Sequence, residues 1–158
     1  MATKEKNTNK YADLTDMTEA YDNRFLIRIS TVLDTEPAAL GAAENAKIEQ
    51  SLQKVSDLID SYIMGQVATP MVDPPDFFVT KTVRMAAAEL VRWKGYEKDS
   101  SDHEIVKEGR LCEKFFEDVQ KGNIKLAPSD SSGNTSPALQ IKSLAPVPIF
   151  PETLLDQY

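Results

Sequence analysis

The 158-residue chain is 41% hydrophobic with a formal charge of −7, enough for one domain around one core and too short for two ordinary domains with linkers. Charge runs +2 over residues 1–10, −6 over 11–70, −2 over 71–122 and −1 over 123–158, so no segment carries the clustered Lys and Arg that nonspecific nucleic-acid or anionic-membrane binding requires. One cysteine excludes an internal disulfide, and with one histidine leaves soft metals such as zinc almost without ligands. MATKEKNTNK has no signal-peptide apolar region, and no run approaches the roughly 20 apolar residues of a membrane span. The expectation is one intracellular domain, neither exported by a standard signal nor embedded.

Residues 1–10 are polar, without a period, and read as an N-terminal arm. A short helix is expected at Leu14–Tyr21, with Asp13 as N-cap and Asp16 at N3, interrupted by Asp22-Asn23. Arg24–Val32 reads as a second short helix or a strand, the helix being favoured, and Leu33–Glu44, with Pro37 and Gly41, as mostly connection. In Asn45–Gly65 the residues Ile48, Leu52, Val55, Ile59 and Tyr62 recur at spacings of four and three, broadened by Leu58 and Ile63. This is the helix on which the rest is expected to lean, with Asn45 as its N-cap and Gly65 as a left-handed stop.

Pro70, Pro74 and Pro75 then force a turn. Asp73, Pro74, Pro75 and Asp76 read as N-cap to N3 of a helix running to Lys94, with Val79, Val83, Ala86, Leu90 and Trp93 on one face and Ala86–Ala88 marking a close helix contact. Gly95 closes it. YEKDSSD is a polar loop, and Ser101 or Asp102 caps a helix over His103–Lys121 whose core face holds Ile105, Cys112, Phe115, Phe116 and Val119, ended by Gly122. The expected fold class is all-α: a small bundle of three main helices plus one or two short N-terminal ones. It divides into an arm (1–10), a helical domain (11–128), and a linker with an extended tail (129–158). In that tail Leu139, Ile141, Leu144, Val147, Ile149, Phe150, Leu154, Leu155 and Tyr158 interleave with Pro146, Pro148 and Pro151. Such a segment needs a groove, on its own bundle or on another chain.

No residue pattern announces catalysis. His103 reads as a surface residue, and Cys112 fills space on an apolar face. No calcium loop, phosphate-binding glycine loop or Gly-x-Ser-x-Gly turn occurs, so neither an enzyme nor a cofactor is expected. Interhelical carboxylates are the one catalytic constellation left open. Glu49, Asp57 and Asp60 project within about 80° of each other, and Lys81, Arg84 and Arg92 likewise cluster on the next long helix. These stripes are either two solvated faces or the halves of a head-to-tail contact between copies. The same basic stripe offers an alternative, a helical regulatory or DNA-binding protein.

The order YADLTDMTEAYDNRFL, IDSY (Ile59–Tyr62), DPP (Asp73–Pro75), Ala87-x-x-Leu90-x-Arg92-Trp93 and VQKGNIKL (Val119–Leu126) resembles the Mu-like tailed-phage neck protein family over Tyr11–Pro128. The spacer TEPAALGAAEN is longer than expected for it, and residues 129–158 fall outside the likeness. The resemblance implies a helical head-completion adaptor: a ring of copies, twelve to match the portal, that joins the DNA-filled head to the tail. Its implied partners are the portal protein, its own copies and a tail-side neck or tail-completion protein, with DNA passing through unbound and no membrane. The implied location is the virion neck, after assembly in the host cytoplasm.

Overall fold

The computed structural model describes residues 10–31, 37–96, 101–126 and 139–141. Five helices follow one another: α1 (Leu14–Ala20), α2 (Asn23–Ser30), α3 (Ala42–Ile63), α4 (Asp76–Lys94) and α5 (Ser101–Gln120). A two-stranded antiparallel ribbon closes the order, β1 (Ile124–Leu126) against β2 (Leu139–Ile141), with Lys125 opposite Gln140. The fold is the expected all-α bundle, and the ribbon is the addition. Three-residue strands carry too little alternation for a sequence pattern to reveal them.

Most helix ends follow side-chain chemistry visible in the sequence. Asp13 and Asp16 form a reciprocal capping box on α1, and Asp22 caps α2 by accepting the Arg24 N–H at 3.3 Å. Gly95 and Gly122, at φ 85° and 76°, supply the left-handed residues that stop α4 and end the chain's run through α5. Several expected ends are displaced, and α5 already begins at Ser101, so Ser101 and Asp102 lie inside the helix they were expected to cap. α3 begins at Ala42 because the Glu44 carboxylate reaches back to the Gly41 N–H at 3.1 Å, which moves the cap upstream of Asn45; at its other end Met64 stays right-handed, and Gly65 is not a positive-φ stop. α4 starts at Asp76 with Pro75 as its extended N-cap, so Pro74 and Pro75 precede the helix instead of opening it.

The organising helix is α4, not α3. Phe78, Thr82, Val83, Met85, Ala86, Ala87, Ala88, Leu90 and Val91 are all buried, which leaves α4 enclosed on most of its circumference by α1, α2, α3 and α5. Its apolar residues run almost all round, and a search for one stripe understates such a helix. The Ala86–Ala88 run marks a close contact as expected: α5 crosses here through Gly109, where an added Cβ would lie less than 3.0 Å from Ala88 Cβ. Trp93 departs from the core assignment. It is 44% exposed and carries the Lys47 ammonium over its ring at 4.1 Å.

Aromatic rings join the N-terminal segment to the two last helices. Tyr11 meets Phe78 edge-on at 5.7 Å, and Phe78 meets Phe116 at 5.3 Å. Across the other end of the bundle, Arg28 of α2 donates both guanidinium nitrogens to Asp102 of α5 at 2.6 Å each. That fork holds the Asp102 carboxyl below the usual range. Among the described residues no helix is long and apolar enough to cross a membrane.

Candidate interaction surfaces

The acidic stripe on α3 is partly consumed within the chain. Glu49 accepts the Lys10 ammonium at 3.3 Å, and Asp60 accepts the Tyr11 hydroxyl. That hydroxyl in turn accepts the Met71 N–H at 3.2 Å, while Tyr11 N–H donates to Ser56 Oγ at 3.1 Å. Residues 10–12 are thus strapped along α3 and tied to the turn that contains the cis Thr69–Pro70 bond. Partial burial raises the Asp60 carboxyl above its ordinary value, against the lowering effect of the Tyr11 hydrogen bond; burial also raises the Tyr11 phenol. Asp57 is exposed and accepts the Gln53 amide at 2.8 Å. Glu49 and Asp57 line a groove of about 870 Å³ between α3 and α4, beside Lys54 ion-paired to Glu89.

The basic stripe on α4 is divided. Lys81 is half-buried, its ammonium 4.3 Å from the Phe115 ring centroid. Arg84 is exposed in a groove whose rim includes Asp16, Glu19 and Glu108, so its field is met by carboxylates of the same chain. Arg92 is exposed near the far end of the helix. The structure therefore does not bring Lys81, Arg84 and Arg92 together as one free cationic face.

A cationic surface does exist, on α5. Lys107, Arg110, Lys114 and Lys121 are exposed within about 60° of each other at 100° per residue, opposite buried Val106, Gly109, Cys112, Phe116 and Val119. It is a mixed stripe, because Glu104 and Glu117 pair with Lys107 and Lys121 and Asp118 shares the same arc. Segment sums hide it because Glu108 and Glu113 alternate with the cations in sequence and project elsewhere. The signal was the spacing of three, four and seven, legible once the helix was projected. Leu111, 61% exposed, borders the stripe.

β1 is held on both edges. The Gln66 amide donates to Val119 O and to Ile124 O (the latter at 3.1 Å), while its Oε1 accepts the Leu126 N–H at 2.9 Å. Backbone groups of alternate residues point to opposite edges of a strand, so Lys125 faces β2 while Gln66 occupies the other edge in place of a neighbouring strand. Nothing in the sequence marks Gln66 for this, since one amide satisfying three backbone groups has no pattern.

A family model described as Bacteriophage Mu, Gp36 matches residues 11–142. The chain belongs to the bacteriophage Mu Gp36 family. It is a Mu-like phage protein, and the family points to structure and assembly of the particle. No curated protein matches the chain. The match starts at Tyr11, where the resemblance was expected to start, and continues beyond Pro128 through β2, so the family body includes the ribbon.

Of the expected docking residues in this Gp36-family chain, Leu139 and Ile141 lie in β2, folded back on β1 of their own chain. Leu144, Val147, Ile149, Phe150, Leu154, Leu155 and Tyr158 lie outside the described residues, as do residues 1–9 and 127–138. His103 is exposed with its ring 6.1 Å from that of Tyr96, and Cys112 is buried, its thiol pushed up by burial. No group of three His, Cys, Asp or Glu that could hold a metal occurs among the described residues.

Proposed function

We propose that this chain is a noncatalytic neck protein, a head-completion adaptor that assembles as a ring on the portal and continues the DNA channel from head to tail. Membership of the Mu Gp36 family over residues 11–142 carries the reading. The bundle is compatible with it: α4 packs against α1, α2, α3 and α5, and the Arg28–Asp102 pair ties α2 to α5 in one scaffold. In this reading the portal, further copies and a tail-side protein are the partners, and the segment after β2, with Leu144, Val147, Ile149, Phe150, Leu154, Leu155 and Tyr158, is the docking strand for a neighbour. Its place is the virion neck, reached by assembly in the host cytoplasm.

Co-sedimentation with purified portal rings tests this, using the full chain and one ending at Lys142, which keeps β2. Stoichiometric binding by the full chain supports the adaptor, and loss on truncation assigns the anchor to the tail. Binding by neither, with intact portal rings, refutes it. The alternative, DNA binding through Lys81, Arg84 and Arg92, has little geometric support because Lys81 covers a ring and Arg84 sits among carboxylates. It would require salt-sensitive duplex binding lost on Arg92→Glu.

A further inference from the structure

We infer that the outward face of α5 is a contact surface for a second copy of this chain, which presents the outward face of α3. The inference rests on the ring reading above. It assigns the cationic side of the inter-copy contact to α5 instead of α4.

The charge distribution singles out the occupant. The chain carries −7, yet the α5 face holds Lys107, Arg110, Lys114 and Lys121 against Glu104, Glu117 and Asp118, a local +1 that leaves −8 elsewhere. A like-charged copy meets attraction on this face. Lys107 and Lys121 engage Glu104 and Glu117 of their own helix at 3.7 and 3.3 Å, whereas Arg110 and Lys114 make no ion pair among the described residues. The cations extend over about 21 Å at 1.5 Å per residue. Leu111, exposed at the border of the stripe, adds apolar surface to the face.

α3 offers the complementary face. Ala43, Ala46, Gln50, Asp57, Ser61 and Met64 are exposed along one side of it, with Glu49 at its edge. The side chains there are small toward the N-terminal half, which admits the ridge of a crossing helix, and Met64, 69% exposed, adds apolar surface. Asp57 is exposed there, Glu49 accepts Lys10 at 3.3 Å, and Lys54 pairs with Glu89 on α4. Because α3 and α5 present different faces of one molecule, the contact is heterologous and repeats from copy to copy.

The test uses two full-length variants. Variant one carries Lys107→Glu, Arg110→Glu and Lys114→Glu, taking the net charge from −7 to −13; variant two carries Glu49→Lys and Asp57→Lys, taking it to −3. Assembly is followed by sedimentation velocity against concentration, with far-UV circular dichroism confirming the helical fold of each. The contact predicts that each variant alone assembles at least about tenfold more weakly than wild type, roughly 1.4 kcal/mol, and that an equimolar mixture recovers assembly. Variant two is decisive, since general charge repulsion predicts stronger assembly at −3. Wild-type assembly by either variant alone, a mixture that stays dissociated, or a wild-type chain monomeric both free and on portal rings overturns the inference. Portal binding by variant one with unaltered assembly would overturn this contact and leave the neck reading standing; assembly as inferred without portal binding would do the reverse.

Discussion

Gly109→Ala is the sharpest perturbation of the bundle. An alanine in the middle of α5 gains about 1 kcal/mol of helix propensity over glycine, and on that ground alone the variant is more stable. The tertiary contact opposes it. The new Cβ would approach Ala88 Cβ to less than 3.0 Å, with the Arg84 carbonyl oxygen at 3.5 Å and Ala88 Cα at 3.8 Å. Ordinary carbon contacts lie near 3.5–4.0 Å, so α5 must move away from a fully buried stretch of α4. Overpacking of this kind costs about 1–3 kcal/mol, occasionally more, and the net expectation is a loss of up to about 2 kcal/mol. Urea unfolding followed at 222 nm measures it, and Ala88→Gly in the same chain should return part of the loss by removing the clashing carbon. A Gly109→Ala protein about 1 kcal/mol more stable than wild type would refute the close α4–α5 contact.

Arg28→Met removes one side of the fork to Asp102 and should cost about 1–3 kcal/mol at pH 7. Asp102 titrates below its ordinary value in the folded chain, so its contribution is present above roughly pH 4 and is lost as pH falls through the folded value; denaturation over a series of pH values below 4 should show the difference between the two proteins shrinking. Asp60 has the opposite sign. Its raised carboxyl favours the fold when neutral, so Asp60→Asn, which keeps an acceptor for Tyr11, should be neutral or stabilising at pH 7 and bring no gain at pH 3; a loss of more than about 1 kcal/mol at pH 7 contradicts that. Gln66→Ala strips three hydrogen bonds from the end of α5 and from β1, and hydrogen exchange should show the Leu126 amide released well ahead of the α5 core amides.

The helices were legible because their causes are local. Asp13 with Asp16, Asp22, Gly95 and Gly122 act on their own turns, and the apolar spacing of α3 and α5 describes faces that bury, except that Leu58, expected to broaden the α3 stripe, is 37% exposed. What escaped depends on neighbours distant in sequence. Glu44 outcompeted Asn45 for the start of α3, α4 proved to be the enclosed helix, and Trp93 was left outside under Lys47. The charge stripes were legible as periodicity and misleading as free surface, since Lys10 and Tyr11 reach α3 from 39 and 49 residues away. The α5 stripe was hidden because a sum over sequence does not separate Glu108 and Glu113, which project away, from the cations of the outward face.

The central claim, a neck adaptor, is tested most directly by a cryo-electron reconstruction of the head-to-tail junction of the phage particle that carries this chain. The account predicts a ring of copies beneath the portal whose density fits α1–α5 and β1, with α5 of each copy against α3 of the next. A junction fully accounted for by other chains, with this protein absent from the particle or placed elsewhere on it, would contradict the claim.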